Sequence, residues 1–512
     1  MAERVGFEPT VPFSTPDFES GTFDHSATSP ATRIITVPFL QRTAFSPLIA
    51  LILALFTLLS GCSRLDPPGS QQPLIIGLPA DQLFQQIAPT SEGMSGFSRD
   101  LTKLFAQSLD VEVRYVIAAD YPTLIAMVRE RKVHFAATVP ARYGDPTLRY
   151  TSPLRETQQL IVQRGDTLSA NTPEKLAGRE IAVIPGAPQE RAIRALNISP
   201  PPIIVPRPRV DELEMLEGVA RGRLDFAATD ELHFAVASNY HPDLEISQEL
   251  PGKLAYVWAF EAENAALLDQ ASRFIATALQ DGTVRRIDDR YFGHIRRLDT
   301  RDIQAFLENM RSRLGAFRHA FQEAQEITDI DWRLLAALAY QESKWDSNAT
   351  SSTGVRGMMM LTEDTADRLN VSNRLDAGQS IRAGAKYLAF LMDDLPNGIK
   401  HPDRLWFALA AYNLGMGHLK GARSFAAGLK RDPDQWVDMK EVLPLMARPE
   451  YYSRLKSGRA RGGEAVILVE NIRNYYDVLS RFEPIYTPPS LSAGKSLKTG
   501  KPKQRTLPAR RA

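Results

Sequence analysis

The sequence predicts a multidomain chain in which a two-lobed α/β domain is followed by an all-α domain. Short β-rich runs alternate with helix-like segments between residues 73 and 294, which is typical of an α/β architecture. From residue 330 to residue 486 the apolar residues recur at helical spacing, with almost no β signal. The chain has 512 residues and 44% hydrophobic content, enough for two to four globular domains. Its 61 Lys and Arg residues balance 60 Asp and Glu residues, so the net charge gives no reason to expect a nucleic-acid partner.

An apolar, charge-free run at residues 45–61 precedes Cys62, the only cysteine of the chain. Such a run after basic residues is the layout of a secretory signal followed by a processing site. Leu59-Ser60-Gly61-Cys62 resembles the lipobox of bacterial lipoproteins, which implies that Cys62 is the lipidated first residue of the mature chain. Ser63 at the next position favours, by the same resemblance, the outer membrane and a protein that faces the periplasm. The alternative is a single membrane-spanning anchor with an incidental cysteine.

The segments on either side of this signal are expected to lack a fold of their own. Residues 1–40 lie ahead of a signal that should be near the N-terminus, so we interpret them as an over-extended, disordered start. Residues 41–61 are then the lipoprotein signal peptide, and residues 62–72 form a polar tether. Residues 487–512 are basic and rich in Pro, Ser and Gly without apolar periodicity, which predicts a disordered tail.

An internal repeat indicates that residues 73–294 form two lobes. The sequence Phe-Ala-Ala-Thr occurs at residues 135–138 and again at residues 226–229, each time after a helix-like segment with a basic end. With its alternating β and α signals, the region resembles the periplasmic solute-binding proteins of the polar amino-acid type. That resemblance implies two α/β lobes that close on a ligand in the cleft between them.

Two residues are implied as ligand contacts by this resemblance. Arg142 follows the first-lobe strand, where the family grips an α-carboxylate, and Asp230 follows the second-lobe strand, where the family holds an α-amino group. A guanidinium matches a carboxylate in two parallel hydrogen bonds, and an Asp pairs with an ammonium group. The alternative is that both are solvated loop charges. The expected ligand is an amino acid or a muropeptide, and a cleft that senses peptide fragments of the cell wall is the preferred hypothesis.

Residues 295–329 are charged and helix-like, with apolar residues at Ile303, Phe306, Met310 and Leu314. Spacings of three and four predict an amphipathic helix. We interpret it as a linker between the two domains, and the alternative is that it is the first helix of the second domain.

The stretch from residue 334 to residue 362 organises the predicted helical domain, residues 330–486. Leu335, Leu338, Glu342 and Trp345 fall on one face of a helix that Asp331 can cap. A carboxyl group in line with an apolar stripe is buried, its pKa rises, and it can hold a proton near neutral pH, as a general acid must. On periodicity alone, the alternative is a structural glutamate paired with a basic residue.

Three motifs make the resemblance of this domain specific. They are QESKWDSNATSSTGVRGMMMLTEDTA from residue 341, AAYNLGMGHL from residue 410 and RGGEAVILVENIRNYYDVL from residue 461. In order and spacing they are similar to the lysozyme-like soluble lytic transglycosylases of peptidoglycan. Together with the N-terminal domain and the lipobox, the chain resembles the membrane-bound lytic murein transglycosylase F family.

The resemblance implies an activity and a set of site residues. Glu342 is the implied acid/base, which cleaves the β-1,4 bond between N-acetylmuramic acid and N-acetylglucosamine and closes a 1,6-anhydro ring on the muramyl end. One carboxylate suffices because the attacking hydroxyl is part of the substrate. Asp346 is the alternative second carboxylate, which we interpret as a residue near the helix end. The implied substrate-binding residues are Ser343, Gly357, Met358, Met359, Tyr412 and Asn413.

Other functions remain open at this point. A hydrolytic muramidase on the same scaffold would leave reducing muramyl ends, and a cell-wall-fragment-binding lipoprotein receptor would have an inactive catalytic domain. No cofactor is expected. No metal site is expected either, because the eight His residues show no ligand spacing to Cys or to paired acids.

Overall fold

The computed structural model describes residues 65–69, 72–85, 89–90, 93–142, 145–352 and 354–488. All of them belong to one compact unit. The predicted start, the signal peptide, Cys62 and nearly all of the predicted tail lie outside the described residues.

Strands fill the N-terminal part of the described chain. Their bounds are β1 Leu74–Pro79, β2 Pro89–Thr90, β3 Gly93–Met94, β4 Val113–Ala118, β5 Phe135–Pro140, β6 Leu148–Tyr150, β7 Arg155–Arg164, β8 Glu180–Val183, β9 Ile203–Pro206, β10 Phe226–Asp230 and β11 Leu244–Glu261. Among the described residues, one sheet runs in the order β4-β1-β5-β11-β7-β10-β8-β9, with β6 paired to β11, and β2 and β3 form a separate ribbon.

Two parallel groups of strands within this sheet correspond to the two predicted lobes. In the first lobe β1 pairs with β4 and β5, and in the second β8 pairs with β9 and β10. The repeated Phe-Ala-Ala-Thr segments are β5 and β10, and every residue of both strands is buried. The long antiparallel strands β7 and β11 join the lobes, with an irregular register between Glu249 and Lys253.

Helices follow the strands after short loops. Their bounds are α1 Phe97–Ser108, α2 Tyr121–Arg129, α3 Gln189–Arg194, α4 Glu212–Ala220, α5 Glu231–Tyr240, α6 Ala265–Gln280 and α7 Thr283–Phe292, with a 3₁₀ turn at Pro173–Leu176. Three of the N-termini are capped by Asp120, Asp211 and Asp230, whose side chains accept backbone N–H groups of the first turn. This is the two-lobed α/β domain that the sequence predicts.

The rest of the described chain is helical. The bounds are α8 Thr300–Ser312, α9 Arg318–Thr328, α10 Trp332–Ser343, α11 Glu363–Arg368, α12 Ala377–Asp393, α13 Asp403–Leu414, α14 Met416–Ala426, α15 Trp436–Val442, α16 Pro449–Tyr452 and α17 Gly462–Phe482. Short 3₁₀ turns at Leu314–Ala316, Ala427–Leu429 and Leu443–Ala447 connect some of them. The all-α domain is therefore confirmed.

The stretch predicted as a linker helix contains two helices, α8 and α9, separated by the 3₁₀ turn. Ile303, Phe306 and Leu314 are buried in the same apolar core as α10, and Met310 packs against that core. Helices α8 and α9 thus belong structurally to the helical domain.

The two domains meet along α17. Arg473 is buried, and its guanidinium donates to the carbonyls of Asp289 and Arg290 at 2.6 and 2.9 Å. These carbonyls lie in the last turn of α7, where a helix runs out of internal donors, although the Asp289 carbonyl also accepts the N–H of Gly293 at 3.0 Å. Lys440 bridges the carboxylates of Asp289 and Glu470 at 2.6 and 2.8 Å. Charged side chains of the helical domain therefore satisfy the end of a helix in the first domain.

Across the described ranges, we find no helix with the length and apolar character needed to span a membrane.

Candidate active site and ligand cleft

Helix α10 positions the predicted acid. The Asp331 side chain accepts the backbone N–H of Arg333 at 2.9 Å, so the predicted cap is present. The helix ends at Ser343, because Lys344 and Trp345 adopt left-handed backbone angles with φ of 54° and 57°. The prediction that the helix continues through Trp345 is therefore wrong. Trp345 instead folds back and donates from its indole nitrogen to the carbonyl of Ala336 at 2.8 Å.

Glu342 lies in the last turn of α10. Its side chain keeps partial contact with solvent, while its carboxyl group is largely removed from water. Burial raises the pKa of the Glu342 carboxyl from 4.5 to about 7, and no charged neighbour contributes to that shift. No hydrogen bond from the described residues holds the carboxyl group. A carboxylic acid in this setting can both give and accept a proton near neutral pH.

The segment after α10 folds back against it. Ser343 Oγ donates to the Met358 carbonyl at 2.9 Å, and the Met359 N–H donates to Ser380 Oγ at 3.1 Å. Arg356 and Leu361 exchange backbone hydrogen bonds of 3.2 and 3.0 Å, which closes the segment into a tight loop. The loop is therefore fixed to both α10 and α12.

Gly357 is required in this loop by its backbone and its neighbours. Its φ is 82°, in the left-handed region that favours glycine, and a Cβ atom built there would lie 1.8 Å from the Arg374 carbonyl oxygen. The side chains of Met358 and Met359 are fully buried in the helical core. A contact of these two residues with a glycan would therefore involve their backbone.

Tyr412 connects α13 to the same loop. Its hydroxyl donates to the Met359 carbonyl at 2.7 Å, and its ring lies 5.4 Å from the ring of Tyr387. Burial, then the nearby charge of Glu342, raises the pKa of Tyr412 well above its ordinary value, so the hydroxyl keeps its proton. Asn413 follows with an exposed side chain at the end of α13.

The structure thus brings Glu342, Ser343, the Gly357–Met359 segment and Tyr412 together. Asp346 lies in the loop beyond α10, exposed, and its side chain accepts the N–H of Asn348 at 2.9 Å. Sequence reasoning missed Ser380 and Gln341. Gln341 accepts from the Asn471 side chain at 3.3 Å and so links α10 to α17. Gln341 and Asn471 both lie inside the motifs quoted from the sequence, and that membership is the signal by which they could have been found.

A cleft separates the lobes of the first domain. The space between its walls is about 350 Å³ when the open solvent at its mouth is included. The first lobe lines it with residues that include Asp81 and Tyr121, and the second with residues that include Ile184, Arg209 and Glu212.

Arg142 and Asp230, the two predicted ligand contacts, are not among the lining residues. The half-buried Arg142 guanidinium donates to the carbonyl of Gly186 in the opposite lobe. Asp230 is fully buried and accepts from Leu232 N, Tyr256 Oη and His233 Nδ1 at 2.8, 2.7 and 2.6 Å. A ligand that contacted either side chain would have to exchange these bonds. Their role in binding stays a prediction.

Comparison with known proteins decides the family. Residues 74–294 match the model for bacterial extracellular solute-binding proteins, family 3, and residues 319–433 match the transglycosylase SLT domain. A relative from Methylobacillus flagellatus, the membrane-bound lytic murein transglycosylase F, is 41% identical over 77% of this chain and 85% of its own length. A relative of the same name from Thiobacillus denitrificans is 40% identical over 85% of this chain and 94% of its own length.

This chain belongs to the membrane-bound lytic murein transglycosylase F family. The predicted family and enzyme class, lytic transglycosylase, are thus confirmed, and the family name implies association with a membrane.

Among solved structures, a mutant of ArgBP from T. maritima is 23% identical, covers 43% of this chain and 95% of its own length, and has a TM-score of 0.39.

Proposed function

We propose that this member of the transglycosylase F family cleaves the β-1,4 bond between N-acetylmuramic acid and N-acetylglucosamine, with Glu342 as its acid/base. The protonated carboxyl group donates its proton to the glycosidic oxygen as the bond from C1 to that oxygen breaks. The resulting carboxylate then takes the proton of the muramyl 6-hydroxyl, whose oxygen bonds to C1 and closes the 1,6-anhydro ring. Water is neither consumed nor released.

The observation that carries this proposal is the desolvated carboxyl group of Glu342, with its pKa raised to about 7. The same group must be an acid in the first step and a base in the second, which is most efficient when its pKa is near the working pH. The loop held by Ser343 and Tyr412 lies beside it, and we propose that Gly357, Met358, Met359 and Asn413 help to bind the glycan there.

Digestion of purified sacculi tests this proposal. We expect 1,6-anhydromuramyl ends, which mass spectrometry separates from reducing ends because they are lighter by one water. Reducing ends would instead support the hydrolytic muramidase. Equal inactivity of the wild-type protein and Glu342→Gln would support the receptor.

The first domain, we further propose, regulates this activity by binding an amino acid or a muropeptide in its cleft. Arg481 on α17 supports this coupling because it contacts both lobes: its guanidinium donates to Gln82 at 2.9 Å and pairs with Glu217 at 3.4 Å. A change in the distance between the lobes cannot leave both contacts unchanged. The same helix reaches α10 through Asn471 and Gln341.

Arg481→Ala tests the coupling, with Arg311→Ala on the exposed face of α8 as the matched control. We expect a muropeptide mixture to change the sacculus-cleaving rate of the wild-type and control proteins, and to change that of Arg481→Ala much less, with ligand affinity retained. An unaltered response in Arg481→Ala would refute the coupling through this residue.

We also propose that Cys62 carries a lipid that anchors the protein to the outer membrane, facing the periplasm. The apolar run before Cys62 and the lipobox-like sequence support this. Labelling of cells with an alkyne fatty acid should mark the wild-type protein and leave Cys62→Ser unmarked. Label in the inner-membrane fraction alone would contradict the location.

A further inference from the structure

A buried histidine joins three carboxylates at the base of the cleft. His233 is fully buried on α5, and its Nε2 lies 3.3 Å from both carboxylate oxygens of Asp81 in the other lobe. Its Nδ1 lies 2.6 Å from Asp230 Oδ2 and 3.5 Å from Glu212 Oε2. Asp230 and His233 are three residues apart, whereas Asp81 and Glu212 come from more distant positions of the chain.

One oxygen of this group has no hydrogen-bond partner among the described residues. Glu212 is 4% exposed, and while its Oε2 accepts from Thr229 Oγ1 at 2.8 Å, its Oε1 is buried and unsatisfied. An unsatisfied buried carboxylate oxygen is costly. Burial raises the pKa of the Glu212 carboxyl to about 7, so a proton can relieve this cost, and a bound cation would relieve it as well.

We propose that Glu212, Asp230 and His233 form a binding site for a divalent transition-metal ion, with Asp81 orienting the histidine. One ligand atom from each of the three residues lies within 4.8 Å of the others. His233 Nδ1 lies 3.5 Å from Glu212 Oε2, the oxygen that also accepts from Thr229. This separation matches the roughly 3.3–3.5 Å between two ligands of a tetrahedral ion with bonds of about 2.0–2.2 Å. The Asp230–His233 pair shares a proton, which the ion would displace as the pair opens by about 0.7 Å.

The position of Asp81 supports this assignment. A metal-bound histidine usually donates its other ring N–H to a carboxylate, which fixes the tautomer and ring orientation. Nε2 faces Asp81, so Nδ1 is the nitrogen left for the ion. An imidazole with two carboxylates favours ions such as Zn²⁺ or Mn²⁺ over Mg²⁺ or Ca²⁺, which prefer oxygen ligands alone.

Charge and access agree with a cation at this place. Asp81, Glu212 and Asp230 place three carboxyl groups around one histidine in a buried volume, a set of groups that suits a divalent ion. Asp81 and Glu212 both line the cleft, so one side of this group borders its open space. Asp81 belongs to the first lobe and the three ligands to the second, so the His233–Asp81 contact links the ligand set to the first lobe.

The test uses the purified full chain, stripped with a chelator and dialysed against Zn²⁺, Mn²⁺, Mg²⁺ or Ca²⁺, with bound metal counted by mass spectrometry. We expect one Zn²⁺ or Mn²⁺ per chain. Glu212→Gln should weaken binding at least tenfold, and Asp81→Asn by roughly 10–100-fold, as changes around a metal site do. Glu214→Gln, the same charge change on an exposed residue of α4, should bind as the wild type does.

Circular dichroism confirms that each variant is folded before it is compared. Saturating Zn²⁺ or Mn²⁺ should raise the melting temperature of the wild type and of Glu214→Gln, and should raise that of Glu212→Gln less. Absence of a stoichiometric ion in the wild type would overturn the proposal. So would binding to Glu212→Gln that is as tight as to Glu214→Gln.

Discussion

The pH dependence of glycan cleavage tests the role of Glu342 most directly. The carboxyl group must be protonated to act as the acid, and burial raises its pKa from 4.5 to about 7. The active form is therefore fully present below pH 6 and is lost as the pH rises through 7. At pH 8 roughly a tenth of the free enzyme is protonated, so kcat/KM should fall about tenfold between pH 6 and pH 8.

The assay is release of anhydromuropeptides from sacculi or purified glycan strands, measured as kcat/KM at half-unit steps of pH. Glu342→Gln should lower the rate by about 10²–10⁴-fold at every pH, because general acid–base catalysis typically contributes that much. Asp346→Asn is the matched control, since Asp346 is an exposed carboxylate nearby whose loss should leave both the rate and the pH profile unchanged. An alkaline limb centred near 4.5, or one that moves in Asp346→Asn, would refute the reasoning.

Glu342→Gln should also reveal how much burial of the Glu342 carboxyl group lowers the free energy of unfolding. A carboxyl group with its folded pKa above its unfolded value binds protons more tightly when folded, so the fold loses stability as the pH rises from 4.5 to about 7. Because the side chain keeps some solvent contact, we expect about 1–3 kcal/mol instead of the full shift. Glu342→Gln should therefore melt above the wild type at pH 8, with a smaller difference at pH 5. Equal differences at both pH values would contradict a raised pKa.

Three further substitutions, with Gly354→Ala as a control for one of them, test the surroundings of the site. Tyr412→Phe removes one neutral hydrogen bond to the loop and should cost about 0.5–1.5 kcal/mol of unfolding free energy, with kcat/KM lowered by up to about tenfold. Gly357→Ala adds a clash to a left-handed backbone and should cost at least about 2 kcal/mol, whereas Gly354→Ala, with φ of 80° and open space, should cost about 1–2 kcal/mol by chemical denaturation. Glu470→Ala removes the carboxylate that lies 2.9 Å from the buried Arg473 guanidinium, and it should lower the free energy of unfolding by about 3–5 kcal/mol. A loss below about 1 kcal/mol would show that this pair is not buried in solution.

The catalytic helix could be predicted from the sequence because its signals are local. Leu335, Leu338 and Glu342 share a face through the 3.6-residue period, and Asp331 caps the helix through a bond two residues away. The end of α10 could not be predicted, because Lys344 and Trp345 leave the helix through left-handed angles that neither residue type favours. Packing decides this end, since the Trp345 ring is buried against Phe306 and Tyr340.

The contacts at the base of the cleft, in contrast, could not be predicted from the sequence. Asp230 is the last residue of β10, close to where the resemblance places it, but its carboxylate is buried under Tyr256 and His233, which come from other elements. Asp81 lies 152 residues from its partner His233, so no spacing rule connects the two. A contact of this kind is fixed by the closing of one lobe on the other, which is a property of the tertiary structure.

Helix α17 gives the two domains a common element. Within one stretch of this helix, Glu470 pairs with Arg473, and Arg473 donates to carbonyls of α7 in the first domain. In the same stretch, Asn471 donates to Gln341, the residue before the acid. A helix is stiff over such a short span because each residue is bonded to those four positions away. A shift of α7 that moved Arg473 would therefore displace Asn471 as well, and with it the last turn of α10. Contacts far from the glycan would in this way help to set the position of Glu342, as the proposed regulation by the first domain requires.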